Sequence, residues 1–295
     1  MRHRFFIVLN PSAGVPRQRF FAEVLARLNA RGAVSTVIEP REQSEAAAAV
    51  RAACASHDVI VAAGGDGTIR QAAAAAGCSQ IPLGLIPLGT GNVVAREIGL
   101  QRTAKAVADT LIDGPIRTVH GARANGEPFY LMAGAGFDGR VVGCLNQSLK
   151  RTLGRAAFGP AMMSAWRQPI DRLQVTIDGQ HHTANWMIVA NARHYGGSFV
   201  LAPDASIFEA GLKVILIRAE TRRDLAWQIM RIARGSFGHA DCPAVRVLDA
   251  HRVIVTCADP SSPLQIPVQV DGDKFGTLPL DIDANGPQLR LIVPR

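Results

Sequence analysis

Two glycine-rich stretches carry the residues whose types and spacing point most directly to chemistry. The apolar, strand-like run from Val59 to Ala63 ends in Gly64-Gly65-Asp66-Gly67-Thr68, and a helix-prone segment from Ile69 to Ala76 follows at once. Glycines let backbone N–H groups approach a ligand closely, and a helix N-terminus adds partial positive charge. This order of strand, turn and helix therefore predicts a phosphate-binding turn.

The carboxylate in the middle of this turn is a second indication. Asp66 would repel a phosphate unless a cation such as Mg²⁺ lay between them, so we expect Asp66 to hold Mg²⁺ directly or through water. The neighbouring Gly64, Gly65 and Gly67 would offer backbone N–H groups to a nucleotide, and Thr68 would add its hydroxyl.

A second stretch repeats the same pattern. The run from Ile81 to Ile86 indicates a strand, and Pro87-Leu88-Gly89-Thr90-Gly91-Asn92 leads into a helix from about Val93. Turns that follow consecutive parallel strands meet at the same edge of the sheet, where ligands of α/β proteins bind. We therefore expect Gly89, Thr90, Gly91 and Asn92 to close the nucleotide site. Either stretch alone is also explained as a tight turn, but the pair in series favours a site.

The composition favours acidic partners. The chain has 295 residues, of which 48% are hydrophobic, and a formal net charge of +8. Such a charge favours nucleotide phosphates or peripheral contact with an anionic membrane. Only 5% of residues are aromatic, and no basic stretch is interleaved with stacking residues, so nucleic acid is disfavoured as a partner.

The cysteines and the apolar runs indicate in which cellular compartment the protein is expected. The five cysteines form no CxxC pair, which argues against a disulfide framework or a zinc site and favours a reducing cytoplasm. No window approaches the ~18 apolar residues that a membrane span needs. A lipid substrate would therefore be reached from outside the bilayer, by a cytoplasmic protein that associates peripherally with the membrane.

Alternating strand and helix patterns predict an α/β domain over residues 1–115, built on a parallel sheet with helices on both faces. The expected strands begin with Phe5–Leu9 and Ser35–Ile38, and the expected helices with Arg17–Arg31 and Glu42–Ala55. A further helix is expected near Thr103 to Leu111, before a boundary at Gly114-Pro115.

Residues 116–295 show hairpin signals instead and predict a mostly antiparallel β-sandwich with helical insertions. The two-residue turns are expected at Asn125-Gly126, Asp178-Gly179, Asp271-Gly272 and Asn285-Gly286. Helices are expected at Val141–Trp166 and Arg222–Ile232. The first of these carries Lys150, Arg151 and Arg155, so it is either a membrane-surface element or a helix packed on the sandwich with a basic edge.

The two glycine motifs together resemble the catalytic domain of the diacylglycerol kinase family, which includes soluble bacterial lipid kinases, sphingosine kinases and ceramide kinases. NAD kinases share the first motif but not the second. The resemblance extends from Asn10-Pro11-Ser12-Ala13-Gly14 to Asp271-Gly272-Asp273. It implies ATP and Mg²⁺ as cofactors, diacylglycerol or another lipid alcohol as acceptor, and Asn10 in the nucleotide site.

The same resemblance implies the catalytic carboxylates. Asp271-Gly272-Asp273 matches an Asp-Gly-Glu of the family, whose last residue is usually assigned as the proton acceptor. Asp273 is thus the expected base, and the role passes partly to Asp271 because the aspartate side chain is shorter. On a strand-like path the two carboxylates would share one face. A hairpin turn also explains Asp-Gly, and both interpretations stay open.

Two further positions depart from the family pattern. Ala210 stands where the family has an aspartate that binds a structural Mg²⁺, which leaves the adjacent Glu209 as the candidate ligand. The run Ile38-Glu39-Pro40 lacks the threonine that family members place after the second strand. The alternatives to a lipid kinase are an enzyme like NAD kinase and a non-catalytic nucleotide- or lipid-binding protein on the same fold. The oligomeric state stays open, a homodimer included.

Overall fold

The computed structural model describes residues 2–10, 15–77, 80–146, 154–234, 242–259 and 265–295. The chain forms two compact units, one of residues up to 119 together with 288–295, and one of residues 120–287. The chain passes from the first unit to the second after residue 119, a few residues beyond the boundary expected at Gly114-Pro115. The return of the C-terminal segment to the first unit is a feature that the sequence patterns did not predict.

The first unit is built on a mostly parallel sheet in the order β2-β1-β3-β4-β20-β5. The strand β3 pairs in parallel with both β1 and β4, and β4 pairs in parallel with β20. The predicted α/β architecture is confirmed. The strands, numbered along the chain, are β1 (Arg4–Leu9), β2 (Val34–Ile38), β3 (Val59–Gly64), β4 (Leu83–Pro87), β5 (Ile116–His120) and β20 (Gln288–Ile292).

The helices of the first unit agree with the expected ones to within a few residues. Every residue of β3 and β4 is buried, as expected for strands that are covered on both faces. Among the helices, α1 packs beside α5 and α2 packs beside α3. Their bounds are α1 (Val15–Ala30), α2 (Gln43–Ala53), α3 (Asp66–Ala76), α4 (Val93–Glu97) and α5 (Ala104–Asp113).

The described residues of the second unit form two six-stranded antiparallel sheets, and the predicted sandwich-like domain is confirmed. One sheet has the order β10-β9-β16-β19-β6-β7, and the other has the order β15-β14-β11-β8-β17-β18. The strands of the first are β6 (Ala122–Ala124), β7 (Glu127–Phe129), β9 (Leu173–Ile177), β10 (Gln180–Ala184), β16 (Arg252–Cys257) and β19 (Leu280–Asp283). Those of the second are β8 (Met132–Gly136), β11 (Trp186–Ala190), β14 (Leu212–Ile217), β15 (Val245–Ala250), β17 (Pro267–Val270) and β18 (Asp273–Thr277).

Apolar side chains of the two sheets form one buried cluster. Val175 and Val253 from one sheet belong to it together with Met187 and Val268 from the other. Buried and more exposed residues alternate along β9, as the pleat of a strand with one covered face requires. A short hairpin of β12 (His194–Tyr195) and β13 (Phe199–Val200) lies apart from both sheets.

Three of the four expected hairpin turns are confirmed. At Asn125-Gly126, Asp178-Gly179 and Asp271-Gly272, φ is positive at both residues, as a type I′ turn requires. The prediction for Asn285-Gly286 is wrong, because β19 and β20 belong to different sheets. Glycine is needed there for close packing: a Cβ on Gly286 would lie 2.4 Å from the backbone nitrogen of Ala122.

The helices of the second unit correct one expectation and confirm another. The single helix expected at Val141–Trp166 is wrong, because the chain leaves the helical conformation at Leu145, where ψ is 120° and the side chain is buried. The structure instead has α6 (Phe137–Cys144), a 3₁₀ turn (Gly154–Ala157) and α7 (Phe158–Arg167). The helix α8 (Arg222–Ala233) confirms the other expectation. Lys150, Arg151 and the side chain of Arg155 lie outside the described residues.

Candidate functional site

The two glycine-rich turns of the first unit meet at the carboxyl edge of its parallel sheet. Gly64 ends β3 opposite Pro87, the last residue of β4. The backbone N–H groups of Leu88 and Gly89 both donate to the carbonyl oxygen of Gly64, at 2.9 and 3.1 Å. The Gly89 N–H is therefore used to join the turns, and the N–H groups of Thr68 and Ile69 in α3 both donate to the carbonyl of Gly65.

The approach of the two turns explains why glycine occupies them. A Cβ on Gly89 would lie 2.5 Å from the Cα of Gly65, which is closer than real Cβ atoms approach backbone. A Cβ on Gly91 would lie 3.4 Å from Oδ2 of Asp66. The bare backbone of the glycines thus forms the contact between the two turns, and a phosphate site at this edge stays a prediction.

Asp66 joins the first turn to the helix that follows the second. Its Oδ2 accepts the backbone N–H of Val93 and its Oδ1 accepts that of Val94, both at 3.0 Å. This bonding gives a structural reason for a carboxylate in the turn, because it satisfies N–H groups at the start of α4. Each oxygen has a second lone pair, so Asp66 also fits the expected role of holding Mg²⁺ directly or through water.

Asn10 and Thr68 lie together beside the first turn. The side-chain amide of Asn10 donates to the hydroxyl of Thr68 at 3.3 Å, and its backbone N–H donates to the carbonyl of Ala63 at 2.9 Å. The backbone N–H of Thr68 donates to the carbonyl of Gly65. The structure therefore brings Asn10 to the turn as the resemblance implied, and Thr68 supports the turn from its buried position.

Asn92 holds the second turn in its sharp conformation. Its φ of 48° is left-handed, and its side-chain amide donates to the carbonyl of Gly89 at 2.7 Å. In the described part of the chain, its Oδ1 is one of two buried side-chain polar atoms with no hydrogen-bond partner. An unused acceptor at this place fits a site that is completed by a ligand, since buried polar atoms in proteins are normally paired.

Arg17 is a residue of this site that the sequence reasoning missed. One of its guanidinium nitrogens lies 3.5 Å from the hydroxyl oxygen of Thr90 in the second turn. Arg96 adds a second positive charge, because its Nε donates to the carbonyl of Gly91 at 3.4 Å. The sequence did contain a signal, because Arg17 is a basic residue in the first turn of α1, shortly after the Asn10–Gly14 motif.

In the second unit, Asp271 anchors its hairpin to a neighbouring segment. One of its oxygens accepts the backbone N–H groups of Leu131 and Met132 at 2.9 and 3.0 Å, and the other accepts that of Tyr130 at 3.2 Å. Burial, followed by the negative charge of Asp271, raises the pKa of Tyr130 to about 12. Three N–H donors already use the Asp271 carboxylate, which favours Asp273 over Asp271 as the catalytic base.

The hairpin also changes how the two carboxylates are displayed. Asp271 has a φ of 50° inside the turn, whereas Asp273 is the first residue of β18. The expectation that Asp271 and Asp273 share one face of a strand is therefore wrong, because the turn between β17 and β18 has left-handed φ values. Asp273 is half-buried, so its carboxylate is partly accessible.

A buried glutamine links this hairpin to a second, buried carboxylate. Gln269 accepts the backbone N–H of Gly272 at 2.8 Å and donates to Oδ2 of Asp138 at 2.7 Å. The hydroxyl of Tyr195 donates to the other oxygen of Asp138. Burial raises the pKa of Asp138 from 3.8 to about 6, although the hydrogen bonds from Tyr195 and Gln269 act to lower it.

Asp138 lies at the wall of an apolar cavity of about 610 Å³ within the second unit. Apolar side chains of α6, α7, β11 and α8 form most of its lining, and the polar groups are few. Such a cavity fits the acyl chains of a lipid, with a small polar end at Asp138, Tyr195 and Gln269. The lining also includes Gly272, which places the hairpin turn at the cavity wall.

Comparisons with known proteins agree with this arrangement. Residues 4–124 match the family model of the diacylglycerol kinase catalytic domain, and residues 132–293 match that of the YegS C-terminal NAD kinase beta sandwich-like domain. A diacylglycerol kinase of Mycobacterium tuberculosis (strain ATCC 25618 / H37Rv) is 30% identical over 283 residues, which cover 92% of this chain and 88% of that protein. The chain belongs to the diacylglycerol kinase family of lipid kinases.

Two further relatives support the family and the fold. A diacylglycerol kinase of Bacillus subtilis (strain 168) is 28% identical over 92% of this chain and 90% of that protein. The crystal structure of a diacylglycerol kinase from Bacillus anthracis str. Sterne covers 99% of this chain and 97% of its own, with a TM-score of 0.75 at 21% identity. That likeness shows the fold. Kinases of this family use ATP, which agrees with the glycine turns of the first unit.

Glu209 lies in a turn rather than in an extended run. Its backbone N–H donates to the carbonyl of Ser206, and its side chain is exposed. Within the described residues, no group of three or more His, Cys, Asp or Glu side chains is placed to hold a metal ion. A metal-binding role for Glu209 stays a prediction.

Asp138 is the main residue of the second unit that the sequence reasoning missed. It follows Phe137 in a run of small and apolar residues, Gly134-Ala135-Gly136-Phe137-Asp138-Gly139. The signal was present in the glycines: a Cβ on Gly134 would overlap the Asp138 carboxylate, and a Cβ on Gly139 would lie 1.9 Å from the carbonyl oxygen of Pro267. Glycines on both sides of one acid thus indicate a carboxylate packed closely into a core.

Proposed function

We propose that this protein is an ATP-dependent kinase that phosphorylates the hydroxyl of diacylglycerol or a related lipid alcohol. The observation that carries the proposal is the apolar cavity of the second unit, which has one buried acid at its wall and the Asp271-Gly272 turn in its lining. Family membership supports the reaction class, and the cavity supports a lipid as acceptor.

The nucleotide would bind at the two glycine turns of the first unit. The positive N-terminal end of α3 suits the phosphates, and Arg17 adds charge beside Thr90. Mg²⁺, held with the phosphates against Asp66, would neutralise part of their charge when bound. Asp66 also keeps the two turns in register through its bonds to Val93 and Val94.

The acceptor would bind in the cavity with its acyl chains against the apolar lining. Asp138, Tyr195 and Gln269 provide the hydrogen-bonding groups at which an alcohol head group can be oriented. Asp273 would accept the proton of the acceptor hydroxyl, because Asp271 is already bonded to three N–H groups. Gln269 would position the hairpin through the Gly272 N–H.

The apolar lining also bears on the alternatives. A site for NAD needs polar partners for ribose and phosphate groups, whereas most of the cavity lining is apolar. A non-catalytic binding protein would need no base on this hairpin, so Asp273, which follows Gly272 in the chain, favours an enzyme.

The experiment is transfer of radiolabelled phosphate from γ-labelled ATP, with Mg²⁺, to lipid alcohols in mixed micelles. The panel contains diacylglycerol, monoacylglycerol, ceramide and sphingosine, and NAD is included as a water-soluble acceptor. We expect the label in the organic phase with diacylglycerol or one of the other lipids. Label on NAD would support the NAD kinase alternative. Bound ATP without labelled product from any acceptor would support the binding protein.

A further inference from the structure

An unusual set of exposed apolar side chains lies on the elements that line the cavity. Trp227 and Met230 of α8 are 55% and 42% exposed, and Met163 of α7 and Phe199 of β13 are also exposed. Phe199 is itself part of the cavity lining, and so are Met162, next to Met163, and Ile229, between Trp227 and Met230. The cavity is therefore bordered by apolar side chains that have no cover within the described protein.

The helix α8 has an amphipathic pattern with an apolar outer stripe. Leu225 and Ile232 are buried on its inner side. On its outer side, Arg223, Trp227, Met230 and Arg234 follow at intervals of four, three and four residues, so they lie on one face. We refer to these four residues as the α8 face. A tryptophan and a methionine between two arginines suit the boundary between apolar chains and charged head groups.

Two contacts hold the α8 face in a fixed orientation beside α7. The indole N–H of Trp166 donates to the carbonyl of Arg222 at 3.2 Å, and the Arg222 guanidinium lies 5.7 Å from the centre of the Trp166 ring. Thr221 and Asp224 form a capping box that fixes the start of α8. The helices α7 and α8 thus form one rigid border of the cavity.

The charge of this border matches an anionic surface. Asp224 is the single acidic residue of α7 and α8, and its carboxylate is bonded within the capping box. The basic residues on and directly after the two helices are Arg167, Arg222, Arg223, Arg231 and Arg234. Because basic side chains surround an apolar centre, the complementary partner is an anionic bilayer rather than a neutral apolar surface.

We propose that the α8 face, with Met163 and Phe199 beside it, docks on an anionic lipid bilayer and that Trp227 and Met230 insert at the head-group level. In the described residues, no helix is long and apolar enough to cross a bilayer. Docking here brings the border of the cavity to the membrane. That the cavity then takes its ligand from the bilayer rests on the proposed function, whereas the docking itself does not.

The test is sedimentation with vesicles, in the absence of nucleotide, at rising salt. The vesicles consist of phosphatidylcholine alone or of phosphatidylcholine with phosphatidylglycerol. The wild type should bind the anionic vesicles and dissociate as salt rises. The variant Trp227→Gln/Met230→Gln should bind about tenfold more weakly or worse, because a buried apolar side chain is lost from the bilayer. The variant Arg223→Gln/Arg234→Gln should lose the dependence on anionic lipid.

A matched control is Val247→Gln/Ile254→Gln, which changes two equally exposed apolar side chains on β15 and β16. It should bind like the wild type. Thermal unfolding should be similar for all variants, because the changed side chains are exposed. Kinase activity on a short-chain, water-soluble acceptor should be unchanged by Trp227→Gln/Met230→Gln, so loss of docking is separable from loss of the proposed function.

Three results would overturn the docking proposal. The first is absence of wild-type binding to anionic vesicles, and the second is equal binding by the wild type and Trp227→Gln/Met230→Gln. The third is a wild-type dimer in sedimentation velocity that Trp227→Gln/Met230→Gln converts to monomer, because a second copy of the chain would then cover the α8 face. Vesicle binding with no kinase activity would leave docking intact and contradict the proposed function.

Discussion

Asp66 in the first unit and Asp271 in the second are both carboxylates that precede a glycine in a turn, and both accept backbone N–H groups of a distant segment. Asp66 accepts two N–H groups at the start of α4, and thereby holds together the two turns that the nucleotide would contact. Asp271 accepts three N–H groups of residues 130–132 and holds a hairpin. An Asp-Gly dipeptide shows where such a carboxylate lies in the sequence. The hydrogen-bond partners of the carboxylate then determine whether it fixes the backbone of a site or acts on the substrate.

The Asp178-Gly179 turn can be compared directly with the Asp271-Gly272 turn. Asp178 in the Asp178-Gly179 hairpin accepts the backbone N–H groups of His251 and Arg252, in the same manner as Asp271. The two hairpins differ two residues further on, where Gln180 follows one and Asp273 follows the other. They differ also in Gln269, which connects only the second hairpin to Asp138. The Asp178 hairpin is therefore a natural control for the Asp271 hairpin.

A large effect is expected from Asp66→Asn. The side-chain amide nitrogen of the new asparagine would face the backbone N–H of Val93 or Val94. One hydrogen bond is then lost, and two hydrogen-bond donors are placed against each other. We expect kcat/KM to fall by ~10²–10³-fold, as when a positioned charge-stabilising group is lost. The free energy of unfolding should fall by about 1–3 kcal/mol. A steady-state lipid kinase assay and urea denaturation check both, with Asp109→Asn, an exposed ion-pair residue of the same unit, as the control.

The next effect is a pH dependence caused by Asp138. Its pKa is about 6 in the folded protein, above the ordinary 3.8, because burial disfavours the charged form. Between these two pH values the folded state keeps a proton that the unfolded state releases. This stabilisation is thus complete below pH 3.8 and is lost as pH rises through 6, by on the order of 3 kcal/mol in total.

The measurement is urea denaturation of the wild type and Asp138→Asn across that pH range. The free energy of unfolding of the wild type, relative to the variant, should decrease as pH rises. Asp224→Asn is the control, because the hydrogen bonds from Thr221 lower the pKa of Asp224. The effect of Asp224 on the free energy of unfolding therefore lies at lower pH. A constant difference between the wild type and Asp138→Asn at every pH would show that Asp138 does not titrate there.

Asp271→Ala and Asp178→Ala compare the two hairpins directly. The φ values are 50° and 45°, so the strain of a left-handed alanine is common to both. Removal of the half-buried Asp271 should cost about 1–3 kcal/mol, because three N–H groups lose their acceptor. Removal of the exposed Asp178 should cost less, since water reaches the N–H groups. Turnover should fall in Asp271→Ala and stay near wild type in Asp178→Ala; equal turnover in the two would refute the distinction.

The smallest effect is expected from Gln269→Leu, which keeps the volume but removes the bonds to Gly272 and Asp138. We expect kcat to fall about tenfold, which corresponds to about 1.4 kcal/mol, with the KM for ATP unchanged. Gln228→Leu is a matched control, because Gln228 is also buried in the second unit but contacts neither the hairpin nor Asp138. If both variants lose turnover equally, Gln269 acts through stability alone.

The parts that could be predicted from the sequence are those that local pattern determines. The strands, the two glycine turns and three hairpins each depend on residues next to one another, because glycine and asparagine or aspartate select the turn. Asn285-Gly286 shows the limit of this reasoning, since the same dipeptide serves close packing where the chain returns to the first unit. The break at Leu145 was also missed, although Gly143 lies two residues before it.

The candidate site of the second unit could not be predicted in the same way. Asp138 contacts Tyr195, 57 residues away, and Gln269, 131 residues away, so only the folded sheets bring them together. The roles of Asp66 and Asp271 depend likewise on N–H groups 27 and 139 residues away. The sequence indicated Asp66 and Asp271 but not Asp138, and the bonding partners of all three required the structure.

We propose that Asp273, and not the turn that precedes it, accepts the proton of the lipid hydroxyl. The most direct test of this proposal is single-turnover transfer of phosphate from prebound γ-labelled ATP to diacylglycerol, for the wild type, Asp178→Asn and Asp273→Asn. We expect equal rates for the wild type and Asp178→Asn and a rate ~10²–10⁴-fold lower for Asp273→Asn, with ATP bound equally well by all three. A wild-type rate in Asp273→Asn would contradict it.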